Sequence, residues 1–557
     1  MNHNSQSINN SHICIIQVTR IGDLIQTIQA CRFLKSEYPG IKLTLLARRQ
    51  FAKQLTEILN TIFENVIFLD LASLVNPRNL QISKSQLSTF LDQINTQHFH
   101  LSVNFSFSKS SEYLSSLITA DKKIGLKRNQ LAYTEIADQI SQYIFSNVMG
   151  HTYNKFNLVD LYSRTLGTKS NLYRDVLPES EGNIITIHPF ASQERKQWSP
   201  QKWSEVIYSL CKHHPQYKIT LVGSKSEINR SLEILDNPLL TQHLDRISNL
   251  VGKTTLMDLF HLLKASKLFV GHDSMGGHMA SLAQTQSLTV SLGSVRPHET
   301  TPYGNLNYCI SPTVRCFPCM PDQACGYYSC HNDISVSVLL QCMTQLLSKG
   351  VIEAKNLEQN IPLISLQTVK IYVSHITEDN TLKLNEIFDR PLNTKELFSY
   401  MYEVYFRYVL FETELKEKIP QFSNQALSEL GNYQNAIQNI YELGEFGKKY
   451  AQFLENEYQM DVPNIEKINQ YKKNLNDIFD LLEKLATVYA HLEPIVKYFK
   501  VRSCNVIGNS TLDLVQQLKV IFEEVTIFSK IFFNFSQQIT SMFTKSENFP
   551  QKNVMDN

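Results

Sequence analysis

From Ile13 onward, short apolar runs alternate with stretches whose apolar residues recur every three or four positions, the pattern of strands alternating with amphipathic helices. Ile13 to Val18 is the first such run. The turn Arg20-Ile-Gly-Asp23 follows it, and Leu24 to Leu34 carries helical spacing up to Tyr38-Pro-Gly40. Further strands are predicted at Ile41 to Ala47, Val66 to Leu69 and Leu101 to Phe105, with helices near Phe51 to Leu59 and Leu87 to Ile94. The alternation restarts at Ile184 to His188. There Ser199-Pro200 gives the next helix a capping hydroxyl and a proline at its first position. Strands then fall at Ile219 to Val222, Ser248 to Leu250, Leu268 to Val270 and Leu288 to Leu292.

Alternation at this spacing implies parallel strands joined by right-handed crossovers, so the fold class expected is α/β, with two Rossmann-like domains in tandem. The pattern changes near Gly350. A linker through Asn360-Ile-Pro362 leads to a short alternating strand, Thr368 to Val373, and everything after Pro391 has helical spacing. Asn393 with Glu396 makes a capping box, and Leu397, Tyr400, Met401, Val404, Tyr408 and Phe411 share one face. Ile468, Tyr471, Leu475, Ile478, Leu482, Leu485, Tyr489 and Leu492 continue at spacings of three and four up to Pro494. Tyr433, Ile437, Ile440, Gly444, Gly447, Ala451 and Leu454 keep that spacing with small residues, which either pack closely or break the helix. With Leu512 to Phe535 these form an expected antiparallel all-α bundle. The predicted boundaries are 12–180 and 181–350 for the two α/β domains, 351–390 for the linker with its strand, and 391–545 for the bundle.

A chain of 557 residues is long enough for several cores. Its 53 basic and 52 acidic residues nearly cancel, which gives no global pull toward nucleic acid or anionic membrane, and no nucleic-acid partner is expected. The leader MNHNSQSINNSH lacks the basic-then-apolar order of a secretory signal, and no apolar stretch reaches membrane-spanning length. A cytoplasmic protein is therefore expected, in which the 10 cysteines stay reduced.

Candidate chemistry lies at the ends of the predicted strands. Ser266 to Ala283 reads as a buried strand turning sharply into a helix, with Asp273, Ser274, Gly276, Gly277 and His278 at the turn. The carboxyl end of a parallel strand is where ligands bind, and a helix start favours an anion such as phosphate; a plain N-cap is the competing reading. Asp23 is either a helix cap or a general base facing a cleft. Lys196, in the loop after a strand, is either a solvated lysine or the partner of a diphosphate. No G-x-G-x-x-G follows the first strand, which argues against a dinucleotide enzyme. Cys316, Cys319, Cys325 and Cys330 fall within fifteen residues; four thiolates so close can surround one zinc or iron, or remain free thiols. The other cysteines read as isolated small apolar residues.

Taken in order, RIGDLIQT, HPFASQERKQW, LVGKTTLMDLFHLLKASKLFVGHDSMGGHMASLA and LGSVRPHETTPYG resemble the heptosyltransferase family of GT-B glycosyltransferases, over about residues 12 to 345. That family moves a heptose from ADP-heptose to lipopolysaccharide core or to a protein. The resemblance implies a GT-B arrangement of the two α/β domains. It makes Asp23 the catalytic base and sets Lys196 on the donor diphosphate with Ser192 just before it. Asp273, Ser274 and His278 become the loop around the donor, and Glu227 a nucleoside contact. Where the family has glycine directly after Asp-Ser, this chain has Met275, with glycines at 276 and 277; at 296 it has arginine in place of a threonine-Asp-Pro context.

The family's inverting route would have Asp23 deprotonate the acceptor hydroxyl while Lys196 and the helix start at 274–278 stabilise the leaving diphosphate, with no cofactor required for catalysis. Some members carry a cysteine-bound iron at a similar place, which points the four clustered cysteines toward a structural zinc or iron. Implied partners are a nucleotide-sugar donor of the ADP-heptose kind and a saccharide or protein acceptor. The helical domain lies outside the resemblance and is open to a homo-oligomer or a partner protein. Peripheral contact at the inner face of the cell membrane is compatible with the same reading. The contrasting expectation is a catalytically inert GT-B scaffold whose helical domain binds a partner.

Overall fold

The computed structural model describes residues 11–70, 79–178, 182–320, 324–414 and 418–546, side chains at 80 and 540–546 excepted. The polar leader up to residue 10 lies outside them. The chain divides into two compact units: residues up to 134 with 156–389, and 135–155 with the residues from 390 onward.

Two sheets are formed. The first comprises β1 (His12–Gln17), β2 (Lys42–Arg48), β3 (Asn65–Leu69), β4 (Phe99–Asn104), β5 (Ala120–Arg128) and β6 (Thr134–Ile136), in the order β3-β2-β1-β4-β5-β6. β1 is central. Its residues Ile13 to Ile16 are all buried because it pairs in parallel with β2 on one side and β4 on the other, Ile15 lying between Leu45 and Val103. A strand buried on both faces must read as a continuous apolar run, which is why ICII was legible.

The second sheet comprises β7 (Ile184–His188), β8 (Lys218–Leu221), β9 (Ile247–Asn249), β10 (Ser266–His272), β11 (Ser287–Val290), β12 (Tyr308–Pro312), β13 (Val369–Ile376) and β14 (Leu382–Glu386). Its order is β14-β13-β12-β11-β10-β7-β8-β9. The parallel part repeats the logic of the first sheet: the third, second and first strands run one way, and the fourth, fifth and sixth the other. Each sheet thus reverses direction between its first and fourth strands, at β1/β4 and at β7/β10, and a crevice opens there beyond the carboxyl ends. Below the second crevice Ile187, Val270, Leu288, Trp198 and Trp203 belong to one buried apolar cluster.

Residues 351–390, expected as a linker with one strand, are instead part of this sheet. Helices Ala354–Asn360 and Leu363–Gln367 lead into β13, which pairs antiparallel with β12, Ile310 opposite Ile371, and then with β14. Burial of Val369, Ile371 and Leu357 makes the segment core rather than tether.

The second unit is mainly helical, as expected for its main part, with Thr394–Phe406, Asn424–Tyr458, Ile465–Val488, Glu493–Cys504 and Thr511–Ser546. The Asn393 and Glu396 capping box is present. The helix Asn424–Tyr458 runs unbroken through Gly444 and Gly447, and these positions let Thr511–Ser546 approach: a Cβ on Gly447 would stand 2.2 Å from Cδ1 of Phe522. The seam from Ile468 ends with its helix at Val488, and Pro494 opens the next helix in its first turn. Residues 135–155, expected in the first α/β domain, belong to this unit. The Tyr143 ring packs 4.4 Å from Phe406, Gln139 donates to the Tyr498 hydroxyl, and Tyr153 bonds the His491 ring at 2.7 Å. An aromatic, amphipathic segment goes where its apolar face is covered, whatever its place in sequence. No helix among the described residues is long and apolar enough to cross a membrane.

Candidate active site

Three loops leave the two crevices, after β1, β7 and β10, and each carries residues singled out by the sequence. After β1, helix Ile21–Glu37 begins with Arg20 as its N-cap residue. Asp23 is the third residue of this helix. Its Oδ2 accepts from the Arg20 backbone N–H at 3.2 Å and from the Thr19 hydroxyl at 2.8 Å. The capping reading is therefore correct for one oxygen. Among the described residues both hydrogen bonds to the carboxylate fall on Oδ2, so Oδ1 is the oxygen left to take a proton.

The loop after β10 meets that helix directly. A Cβ on Gly22 would stand 3.1 Å from Cδ2 of His278, so glycine lets the Arg20–Asp23 turn lie close against the His278 ring. Deeper along the same pair of helices Gln29 donates to Ser281 Oγ at 2.6 Å, and Gln26 reaches the Glu299 carbonyl at 3.4 Å. His278 is buried. Burial pushes its pKa down, while the charges of Asp273 and Asp23 pull it back up.

Ser274 is the N-cap residue of helix Met275–Leu282, yet its side chain makes no capping bond. The hydroxyl lies instead 2.8 Å from Nδ1 of His188, at the end of β7. The Gly277 N–H turns back to the Ser274 carbonyl at 3.1 Å, and the Met275 and Gly276 N–H groups ahead of it receive no capping bond from the Ser274 side chain. Gly276 packs where a Cβ would come within 3.0 Å of Phe269 Cζ and 3.4 Å of His188 Cγ, and Gly277 where it would meet Pro302 at 3.1 Å. The half-buried first position is occupied by Met275. This accounts for the displaced glycines: the tight packing falls at 276 and 277, not at 275. Asp273 accepts a short hydrogen bond from the Thr300 hydroxyl.

Lys196 ends a single 3-10 turn, Glu194–Lys196, beyond β7. Burial lowers its pKa from the ordinary lysine value; Asp273 opposes that most strongly, Arg20 and Arg195 add to it, and Asp23 also opposes it. Residues from all three loops thus act on one ammonium. Ser192 is exposed in the same loop. Glu227 is the third residue of a capping box, with Oε2 accepting from Ser224 N at 2.6 Å and Ser224 Oγ at 2.9 Å, and it stands 3.9 Å from the His188 Nε2. The same loops therefore gather Asp23, Lys196, Asp273, Ser274, Gly276, Gly277 and His278, with Glu227 reached through His188. His188, Gly22 and Thr300 had no role assigned from sequence. His188 was legible only as the last letter of a strand, since its partners are 39 and 86 residues away. His272, by contrast, is structural: Nε2 accepts from Trp198 N at 3.0 Å and Trp203 Nε1 at 3.2 Å, and burial pushes its pKa down to about 3.

The four clustered cysteines lie in one loop beside this site. Burial raises the Cys319 and Cys330 thiols and neighbouring cysteines raise them further, whereas backbone N–H groups of Tyr328 and Tyr327 lower Cys325. The donor chemistry suits a thiophilic ion. Among the described residues the sulfurs do not fall within 4.8 Å of one another as a set of three; that spacing is met by the exposed His98, His100 and Asp121. Nδ1 of His100 is already used, accepting from His12 N at 3.0 Å, which opposes ligation there. An ion held by the cysteines would draw the loop tighter than it stands.

Residues 113–326, less than half of the chain, match the family model for glycosyltransferase family 9 (heptosyltransferase). The match begins after the Asp23 loop, contains Lys196 and 273–278, and ends within the cysteine loop. No curated protein matches. Among solved structures the chain is similar to the E. coli ADP-heptose LPS heptosyltransferase II, at 17% identity over 61% of this chain and 99% of that one, TM-score 0.46. It is similar to the E. coli heptosyltransferase WaaC with ADP, at 18% identity over 53% of this chain and 91% of that one, TM-score 0.41. It is also similar to the iron-containing dodecameric glycosyltransferase TibC from enterotoxigenic E. coli, at 12% identity over 61% of this chain and 77% of that one, TM-score 0.37.

Proposed function

We propose, for a chain that is a heptosyltransferase-like glycosyltransferase of GT-B architecture, that it moves a heptose or related sugar from an ADP-sugar to a saccharide of the lipopolysaccharide core or to a protein, with inversion. The observation that carries the proposal is the convergence of three loops on one neighbourhood: the Asp23 carboxylate, the Lys196 ammonium and an uncapped helix start at Met275. A base, a cation and free N–H groups are what displacement of a nucleoside diphosphate by a hydroxyl requires.

In this reading Oδ1 of Asp23 takes the acceptor's hydroxyl proton as the oxygen attacks the anomeric carbon. The new carbon–oxygen bond forms while the bond to the β-phosphate oxygen breaks, and ADP departs with the electron pair. Lys196 and the N–H groups at the start of helix Met275–Leu282 meet the charge that develops on that oxygen. The packing of Gly22 against the His278 ring holds the base against the donor loop. Incubation of the purified protein with ADP-heptose and candidate acceptors should release ADP and leave a heptosylated product. Transfer from a different sugar nucleotide would keep the fold and reject the donor. Nucleotide binding without transfer to any acceptor would point to the inert scaffold.

The four thiols Cys316, Cys319, Cys325 and Cys330 are the ones we propose to hold one zinc or iron ion, whose contribution would be structural, closing the loop. About one equivalent of metal per chain should survive chelator-free purification. Cys319→Ser should then lower stability more than Cys504→Ser, and a metal-free preparation would reject the proposal. We propose the cytoplasm as the compartment of the reaction, at the inner face of the membrane if the acceptor is lipid-linked.

A further inference from the structure

We infer that His331 and Gly293 are positioning residues for Lys196, through which the cysteine loop sets the place of the ammonium. The inference rests on the reading of Lys196 as the donor-diphosphate contact. Glu194–Lys196 is one 3-10 turn, closed by Lys196 N to Gln193 O at 3.0 Å and Gln197 N to Glu194 O at 3.0 Å. So short an element has no stability of its own, and its conformation depends on what holds it. The side chain of Lys196 is drawn by Asp273 and Asp23 and repelled by Arg20 and Arg195, a balance that a small displacement of the turn would upset.

What holds the turn comes from the cysteine loop. The His331 ring donates from Nε2 to the Arg195 carbonyl at 2.9 Å, and the Arg195 guanidinium donates from Nη1 to the Met320 carbonyl at 3.3 Å. Gly293 lies against the same peptide: with φ at +63°, a Cβ there would stand 2.8 Å from the Arg195 oxygen. The two backbone groups of Gly293 both go to cysteines. Its carbonyl accepts from Cys319 N at 2.9 Å, and its N–H bonds to Cys330. His331 follows Cys330 in sequence, Met320 follows Cys319, and Lys202 holds the loop end through the carbonyls of His331 and Ile334. The His331 and Met320 ties to the turn are therefore each one residue from Cys330 or Cys319, and Gly293 is bonded to both cysteines. The geometry of that loop is passed to the residue before Lys196, and so to Lys196.

A double-mutant cycle read by calorimetric titration of the full chain with ADP tests this. Lys196→Ala should weaken ADP at least tenfold. His331→Ala should weaken it about tenfold in the wild-type background and less than about twofold in the Lys196→Ala background, because in this inference His331 acts on the nucleotide through the lysine. His331→Gln, which keeps a donor, should recover most of the loss. Gly293→Ala, which leaves every thiol in place but presses on the Arg195 carbonyl, should show the same dependence on Lys196. It also serves as the independent test if His331→Ala does not fold. Equal losses from His331→Ala and Gly293→Ala in both backgrounds would overturn the inference and mark the loop as general scaffolding, as would ADP affinity untouched by both. Unchanged ADP affinity in Lys196→Ala itself would instead remove the diphosphate reading, a separate failure.

Discussion

Glycine brings backbone close to its neighbours in both units, but the neighbours differ. In the helical unit Gly444 and Gly447 face Thr526 and Phe522 of the helix Thr511–Ser546, and the space a Cβ would need is filled by side chains of that helix. The arrangement is closed: small residues on one helix, large ones on the other. In the α/β unit Gly276 and Gly277 sit at the first turn of a helix that opens on a loop, packed below by Phe269 and Pro302. Above them Ser274 has turned to His188 and left the helix start uncapped. A pair of glycines thus makes a core contact where a partner helix fills the groove, and here packs the first turn of a helix whose N-cap side chain is engaged elsewhere.

Substitutions can break this contrast at either end. The largest effect is expected from Asp23→Asn, which preserves shape and can still accept from Arg20 N but cannot take a proton. Transfer should fall about 10²- to 10⁴-fold while ADP affinity stays within about twofold. Near-normal transfer would remove the base from the α/β crevice. Next, Lys196→Ala should weaken ADP about 10- to 100-fold and slow turnover, as one charge opposite the leaving group is lost. In the helical unit the signature should be reversed. Gly447→Ala puts a methyl group into the Phe522 ring and should cost about 1–2 kcal/mol of overpacking, read as an earlier denaturation of the helical transition. ADP affinity should not move. Weaker ADP binding in Gly447→Ala would show that the helical unit contributes to the donor site and would end the contrast.

Much of the site was legible because its chemistry is local. RIGD, HPFASQERK and GHDSMGGH each mark a strand end followed by a turn, and the three turns converge because the first and fourth strands of each sheet flank its crevice. What escaped was non-local. β13 alternates apolar and polar residues as an edge-side strand does, but nothing within 351–390 says that β12 is its partner. Residues 135–155 look like the tail of an α/β domain until Phe406 and Tyr498 are present to cover Tyr143 and bond Gln139. The approach of Gly22 to His278 likewise depends on two helices far apart in sequence. For Asp23 the sequence left cap and base side by side, and the structure shows the cap, through Oδ2 to Arg20 N and Thr19; Glu227 caps its own turn in the same way through Oε2.

The smallest expected effect is also the one that separates the site from the fold by its sign. Burial depresses the Lys196 pKa below the ordinary lysine value, with Asp273 opposing. Only the ammonium attracts a diphosphate, so ADP affinity should be flat at neutral pH and fall as pH rises through this depressed pKa. The decline should therefore begin on the acid side of the range in which an ordinary lysine loses its proton. The contribution of the same group to stability runs the other way. Since the unfolded chain holds the proton more tightly, ∂ΔG_unfold/∂pH from Lys196 is positive, and the fold gains as pH rises through this window. Weaker binding in that window therefore cannot come from a Lys196-driven loss of structure. Lys196→Arg keeps its charge throughout and should abolish the alkaline decline in ADP affinity even if binding at neutral pH is reduced by the different head-group shape. An unchanged decline in Lys196→Arg would assign the titration to another group and take Lys196 off the diphosphate.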